Sequence, residues 1–198
     1  MITIIDYGMG NLLSIENAFR YFGAKVKITA QPEEIEKAKK LVFPGVGNFA
    51  EAIKNLKRKK IDLAIKNSIQ KGTPFLGICL GFQLLFEKSE EAPKIKGLSI
   101  FQGKVSRLKK VKIPQIGWNQ LKIQKKSKIL KGLKGGSFVY FMHSFYPKPI
   151  DKKIIIAKTN YGIDFCSSIE SKNIFGVQFH PEKSGKVGLK ILKNFVEI

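Results

Sequence analysis

The chain has 198 residues, and its 36 Lys+Arg against 15 Asp+Glu give a formal charge of +21, with 43% of residues hydrophobic. That much apolar material at the length of one ordinary domain excludes intrinsic disorder. Asp6 interrupts the opening where a secretory signal needs an apolar core, and no apolar run approaches the ~18 residues of a membrane span, so a soluble, cytoplasmic protein with no membrane partner is expected.

Ile2 to Ile5 predicts a strand, Asn11 to Phe22 an amphipathic helix closed by Gly23, and Lys25 to Thr29 a second strand. Leu41-Val42-Phe43 predicts a strand running into Pro44-Gly45-Val46-Gly47, a turn of residues that permit unusual dihedrals. Helical patterns cover Phe49 to Lys57 and Leu63 to Gln70; Pro74 to Ile78 is another buried strand, and Leu80 to Glu87 opens a further helix. Strands alternating with helices indicate a parallel sheet covered on both faces.

After about Pro93 strand-like runs dominate: Leu98 to Phe101, Lys104 to Leu108, Gln120 to Ile123, Phe138 to Met142, Ile154 to Ala157, Asp164 to Ser168 and Phe175 to Phe179. Some of these extend the sheet as antiparallel strands, and a last helix, about Gly185 to Phe195, packs back on it. No Pro/Gly/Ser-rich linker and no internal repeat divides the chain, so one α/β domain over residues 1–198 is expected.

The charge invites a nucleic-acid reading, because phosphate neutralisation supplies most non-specific affinity. Only Arg20, Arg58 and Arg107 are arginines, however, and the lysines are spread along the chain in loops and helix ends, so no nucleic-acid partner is expected. Two cysteines, Cys79 and Cys166, and two histidines, His143 and His180, indicate neither a disulfide framework nor a four-ligand zinc site, and no metal or cofactor is expected.

Gly77-Ile78-Cys79-Leu80-Gly81 lies between a predicted strand and a predicted helix. It is a G-x-S-x-G nucleophile elbow with sulfur for oxygen, where small neighbours let the backbone pass closely and leave the nucleophile exposed. A helix N-terminus there favours thiolate, and the Leu80 N–H can face a developing oxyanion. A free Cys in a strand is ordinarily a small buried apolar residue, and Cys166 fits that description; Cys79, between two glycines at a strand-helix junction, does not.

Phe175 to Phe179 ends in His180-Pro181-Glu182. Residues i and i+2 of an extended segment share a side, so Glu182 can hold the His180 ring in the tautomer that takes a proton from a thiol. His143, the competing base, has no carboxylate nearby in sequence and is read as a structural or substrate-contact position.

Together these residues resemble the class I, or triad, glutamine amidotransferases, and more closely the glutaminase subunits of imidazole glycerol phosphate synthase, the HisH family. The similarity spans essentially the whole chain, through Asp6-Tyr7-Gly8-Met9-Gly10-Asn11, Pro44-Gly45-Val46-Gly47, the Cys79 elbow, Gly117-Trp118-Asn119, Tyr140-Phe141-Met142-His143-Ser144 and Gln178-Phe179-His180-Pro181-Glu182-Lys183-Ser184. The resemblance implies a flavodoxin-like, mostly parallel sheet and a triad of Cys79 as nucleophile, His180 as general acid and base and Glu182 as orienter. It further implies an oxyanion site at Val46, Gly47 and Leu80, in which the Val46 peptide donates only on activation, and glutamine contacts at Gly45, Gln83, His143 and Ser144. The family's partner is a (β/α)8-barrel cyclase that uses the ammonia to turn PRFAR into imidazole glycerol phosphate and AICAR, and Asn11, Trp118, Tyr140 and Lys183 match its heterodimer interface.

Elbow, triad and sheet consume the 198 residues, which points the same way: a separate subunit is expected to use the ammonia. The chain departs from the family where Gln115 replaces a frequent His, and Asn48 and Phe82 replace common Ala and Met. The alternatives are a paralogous glutaminase feeding a barrel partner that amidates a surface-sugar precursor, a stand-alone Cys-His-Glu hydrolase, and a basic scaffold in which Cys79 is incidental.

Overall fold

A computed structural model describes residues 1–198, and in its first half strand and helix alternate as the hydrophobic periodicity requires. The elements are β1 (Ile2–Ile5), α1 (Leu12–Arg20), β2 (Val26–Thr29), α2 (Pro32–Glu36), β3 (Leu41–Phe43), α3 (Phe49–Arg58), α4 (Ile61–Gln70) and β4 (Phe75–Ile78). The short α2 carries no long apolar stripe and was not expected. Asn11 caps α1 by accepting from the Ser14 N–H, and Asn48 caps α3 by accepting from Ala50 and Glu51.

The helix expected over Leu80 to Glu87 stops early: α5 is Leu80–Gln83, and β5 follows at Phe86–Ser89. The carbonyls of Leu84 and Leu85, which a longer helix would use internally, instead accept from Leu98, Ile100 and Phe101. Tertiary pairing therefore overrides local helical periodicity.

The second half supplies β6 (Phe101–Arg107), β7 (Gln115–Gln120), β8 (Lys122–Ile123), β9 (Phe138–His143), β10 (Phe145–Pro149), β11 (Ile155–Asn160), β12 (Asp164–Ser171), β13 (Ile174–Val177) and α6 (Gly185–Val196). The two strands expected over Leu98 to Phe101 and Lys104 to Leu108 are one, β6, and Leu98 to Ile100 lies outside it. The strand expected over Gln120 to Ile123 is split between the end of β7 and β8.

An eight-stranded sheet runs β2-β1-β3-β4-β13-β12-β11-β8. Its first five strands pair in parallel, and β12, β11 and β8 extend it antiparallel, as expected. Two smaller sheets, β10-β6-β5 and β7-β9, carry the other late strands. Alternate residues of the central strands enter two apolar cores: Leu41, Phe43 and Phe75 on one side, Val42, Leu76 and Ile78 on the other. Both faces are thus covered, which explains why these strands read as continuous apolar runs. No helix is long and apolar enough to cross a membrane.

The topology positions the site. β3, β4 and β13 are adjacent and parallel, with Ile78 opposite Val177, so the segments leaving their C-terminal ends emerge side by side. Those segments carry Pro44 to Gly47, Cys79, and Gln178 to Glu182.

Candidate active site

Cys79 occupies the turn from β4 into α5 with φ 52° and ψ −111°, a left-handed conformation that a side-chain-bearing residue holds only when its surroundings impose it. Its N–H is tied to the Val177 carbonyl at 2.8 Å. A Cβ at Gly81 would overlap the Phe43 carbonyl, and one at Gly77 would lie 3.0 Å from the Phe82 Cα. Glycine on each side of Cys79 therefore lets the turn press against β3 and α5.

The His180 Nδ1 lies 2.8 Å from Glu182 Oε1, and the two side chains are only 4% and 1% exposed, so this is no surface ion pair. His180 itself is extended, and Pro181–Lys183 then form a 3-10 turn that brings Glu182 back onto the ring. The His180 N–H donates to the Tyr140 carbonyl at 2.9 Å, and Ser184 Oγ bridges the His180 carbonyl and the Tyr140 N–H.

Burial by itself would pull the His180 pKa down, but the charge of a Cys79 thiolate, a hydrogen bond to it and the Glu182 carboxylate together push it up to about 10. The other ring nitrogen, Nε2, is buried without a well-formed hydrogen bond. The sulfur and the ring thus interact through charge without a well-formed hydrogen bond between them.

A cavity of about 250 Å³ opens at the elbow. Of the sequence-predicted residues, Val46, Gly47, Cys79, Leu80, Gln83, His143 and Ser144 line it, whereas His180 and Glu182 do not, and Gly45 contacts the elbow from the loop after β3. The Leu80 N–H donates to the Gly45 carbonyl at 3.3 Å. His143 is buried, and its Nδ1 lies 2.8 Å from the Phe145 carbonyl, an atom that can only accept, so Nδ1 carries the proton. Its Nε2 faces the Gln115 side-chain amide at 2.9 Å, and burial lowers its pKa to about 4. Neutral and engaged at both nitrogens, His143 is no competing base.

Two residues at the site were missed in the sequence. Glu91 lines the cavity and accepts from the Phe49 N–H and Asn48 Nδ2, both at 3.1 Å, while partial burial raises its pKa against the pull of those donors. No motif surrounds it, and only the turn after β5 delivers it. Gln178, wholly buried, lies with its Nε2 3.6 Å from the Cys79 Sγ. Its place two residues before His180 was the available signal. Cys166 lies elsewhere, on β12, where burial pushes its thiol up to about 12. No group of three or more His, Cys, Asp or Glu side chains is placed to hold a metal ion.

The family model described as glutamine amidotransferase class-I matches residues 3–198. The chain is 53% identical to the imidazole glycerol phosphate synthase subunit HisH of Caldanaerobacter subterraneus subsp. tengcongensis, covering 100% of this chain and 98% of that one. It is 52% identical to the subunit of the same name from Pyrococcus furiosus, over 98% and 97% of the two chains. The chain belongs to the HisH family of class-I glutamine amidotransferases. A crystal structure of a glutamine amidotransferase, 18% identical, superposes with a TM-score of 0.79 over 100% of this chain and 98% of that one, so the class-I fold persists where sequence has diverged.

The four positions that HisH resemblance assigns to a subunit interface all reach the surface. Asn11 and Lys183 are exposed, and Tyr140 is half-buried. Trp118 is 55% exposed, not a core residue, and packs edge-on against Tyr140 with ring centroids 5.9 Å apart. The Pro181–Lys183 turn packs against both α1 and β9, which gathers these elements beside His180.

Proposed function

We propose that Cys79, His180 and Glu182 perform the glutaminase half of imidazole glycerol phosphate synthesis, and that residues 1–198 act as a single glutamine amidotransferase domain. The observation that carries this is the strained Cys79 elbow backed by a buried His180–Glu182 pair. As a member of the HisH family, the chain acts as a glutaminase subunit, a glutamine amidotransferase of histidine biosynthesis. Relatives this similar over their full length carry the synthase name, and the sugar-amidating alternative is not favoured.

The Cys79 thiolate attacks the side-chain carbonyl carbon of glutamine, and the electron pair moves onto the carbonyl oxygen. As the tetrahedral intermediate collapses, the His180 imidazolium gives its Nε2 proton to the departing ammonia, leaving a γ-glutamyl thioester on Cys79. The neutral imidazole then takes a proton from water, the hydroxide attacks the thioester, and glutamate leaves with the thiolate restored. Glu182 keeps the Nδ1 proton in place and stabilises the imidazolium between steps. Glu91, the acidic group lining the cavity, has the charge to hold the α-ammonium of glutamine, and Gln83 the amide to contact it.

With the Leu80 N–H spent on Gly45, the oxyanion site is closed at rest. Turning the Gly45-Val46 peptide swings the Gly45 carbonyl away, frees that donor and brings the Val46 N–H in beside it. The partner subunit, a (β/α)8-barrel cyclase, docks over Asn11, Trp118, Tyr140 and Lys183, receives ammonia before it is protonated in solvent, and converts PRFAR to imidazole glycerol phosphate and AICAR. Acid-quenching the complex during glutamine turnover tests the chemistry: a γ-glutamyl adduct on the Cys79 peptide is expected. Turnover with no adduct there, and undiminished turnover by Cys79→Ser, would contradict it.

A further inference from the structure

We propose that Gln178 is the neutral donor that holds the Cys79 sulfur as a thiolate, with its amide orientation imposed by the Phe145 carbonyl and relayed through Gln83. This rests on Cys79 being the nucleophile. The chain of constraints begins at Phe145, whose backbone oxygen can only accept. The Gln83 amide lies 2.9 Å from it and must present its NH2 there. The same NH2 lies 3.1 Å from the Gln178 amide, so Gln178 turns its Oε1 to Gln83 and its Nε2 to the Cys79 Sγ, 3.6 Å away. Reversing Gln178 would set two NH2 groups face to face in a fully buried site and aim a carbonyl oxygen at the sulfur.

The need for such a donor is visible around the sulfur. α5 is a single turn, so its dipole contributes little at Cys79, and the Leu80 N–H is occupied by Gly45. The Met142 carbonyl, 3.8 Å from Sγ, accepts a hydrogen bond from a thiol and so opposes the thiolate. The titratable groups facing this region are His180, Tyr7, His143 and Glu91. Burial and the sulfur's own charge push the Tyr7 phenol far up, and burial holds His143 neutral, so neither adds positive charge. Glu91 adds none either. Only His180 and Gln178 favour the thiolate.

The test follows iodoacetamide alkylation of Cys79 against pH without glutamine, with peptide mapping to separate Cys166. Gln178→Met keeps length but removes the donor. Its alkylation midpoint should rise by about 0.5 to 1 pH unit, slowing the reaction about three- to tenfold below the midpoint. Gln83→Met should move the midpoint the same way, and the double variant no further, because both break one relay. Gln178→Leu, which also removes the donor without adding charge, should shift it as Met does and provides the reading if Gln178→Met fails to fold. An unmoved midpoint in the folded Gln178 variants would overturn the proposal, and additive shifts in the double variant would overturn the relay. Because no glutamine is used, these outcomes stand apart from the glutaminase assignment, whose failure would appear as glutamate release retained by Cys79→Ser.

Discussion

The backbone N–H of Leu80 points at the carbonyl oxygen of Gly45, 3.3 Å away. In the proposed mechanism this N–H is the donor that receives the developing oxyanion, and, being occupied, it is freed by a turn of the loop from Pro44 to Gly47. Gly47, at φ 102°, supplies the freedom for that turn, and a Cβ there would lie 2.6 Å from the Met9 Cε. Gly47→Ala should lower partner-stimulated glutamate release at least tenfold at saturating glutamine, as the loop loses the conformation it must reach. Unchanged stimulated kcat would place the activating movement elsewhere.

Cys79→Ser and His180→Ala should each reduce glutamine-dependent turnover by several orders of magnitude, and their combination by little more, since triad members act as a unit. Steady-state glutamate release with the partner checks this; near-normal turnover by either single variant would remove that residue from the chemistry.

The His180 shift sets two pH dependences. Its folded value of about 10 stands above an ordinary 6.5, so the stability gained from the imidazolium is complete below pH 6.5, drains away between pH 6.5 and about 10, and is gone above. Thermal melts should accordingly show Tm falling over that window, less steeply in His180→Ala. Because the Glu182 charge is one cause of the elevation, Glu182→Gln should move the alkaline limb of the glutaminase pH profile to lower pH. An alkaline limb indifferent to Glu182→Gln would contradict the electrostatic pairing.

Glu91→Gln keeps an acceptor for the Phe49 N–H while removing the charge proposed to meet the α-ammonium. KM for glutamine should rise tenfold or more, with kcat and Tm close to those of the parent. A pure kcat effect would assign Glu91 to loop geometry instead of substrate binding.

Much of this arrangement was legible in the residues because local signals agreed with tertiary structure. Gly77-Ile78-Cys79-Leu80-Gly81 forms the elbow, and the apolar runs of β1, β3 and β4 form the parallel core. The pairing of His180 with Glu182 was also legible, although the 3-10 turn at Pro181 achieves it and not a continued strand. What escaped depended on distant pairing. Leu84 and Leu85 look helical, yet their carbonyls are claimed by Leu98, Ile100 and Phe101. β10 contains Pro147 and Pro149, which mask a strand that pairs only with β6. Glu91 and Gln178 gain meaning from the cavity and the sulfur they face, and neither neighbour is adjacent in sequence.

The most direct measurement is glutamate release from glutamine by the purified protein alone, with the proposed barrel cyclase partner, and with that partner and PRFAR together. Near-silence alone and strong stimulation in the complete mixture is the expected result, because the proposed mechanism frees the Leu80 donor only in the activated complex. Rapid glutamate release by the isolated chain, unaltered by cyclase and PRFAR, would contradict the account.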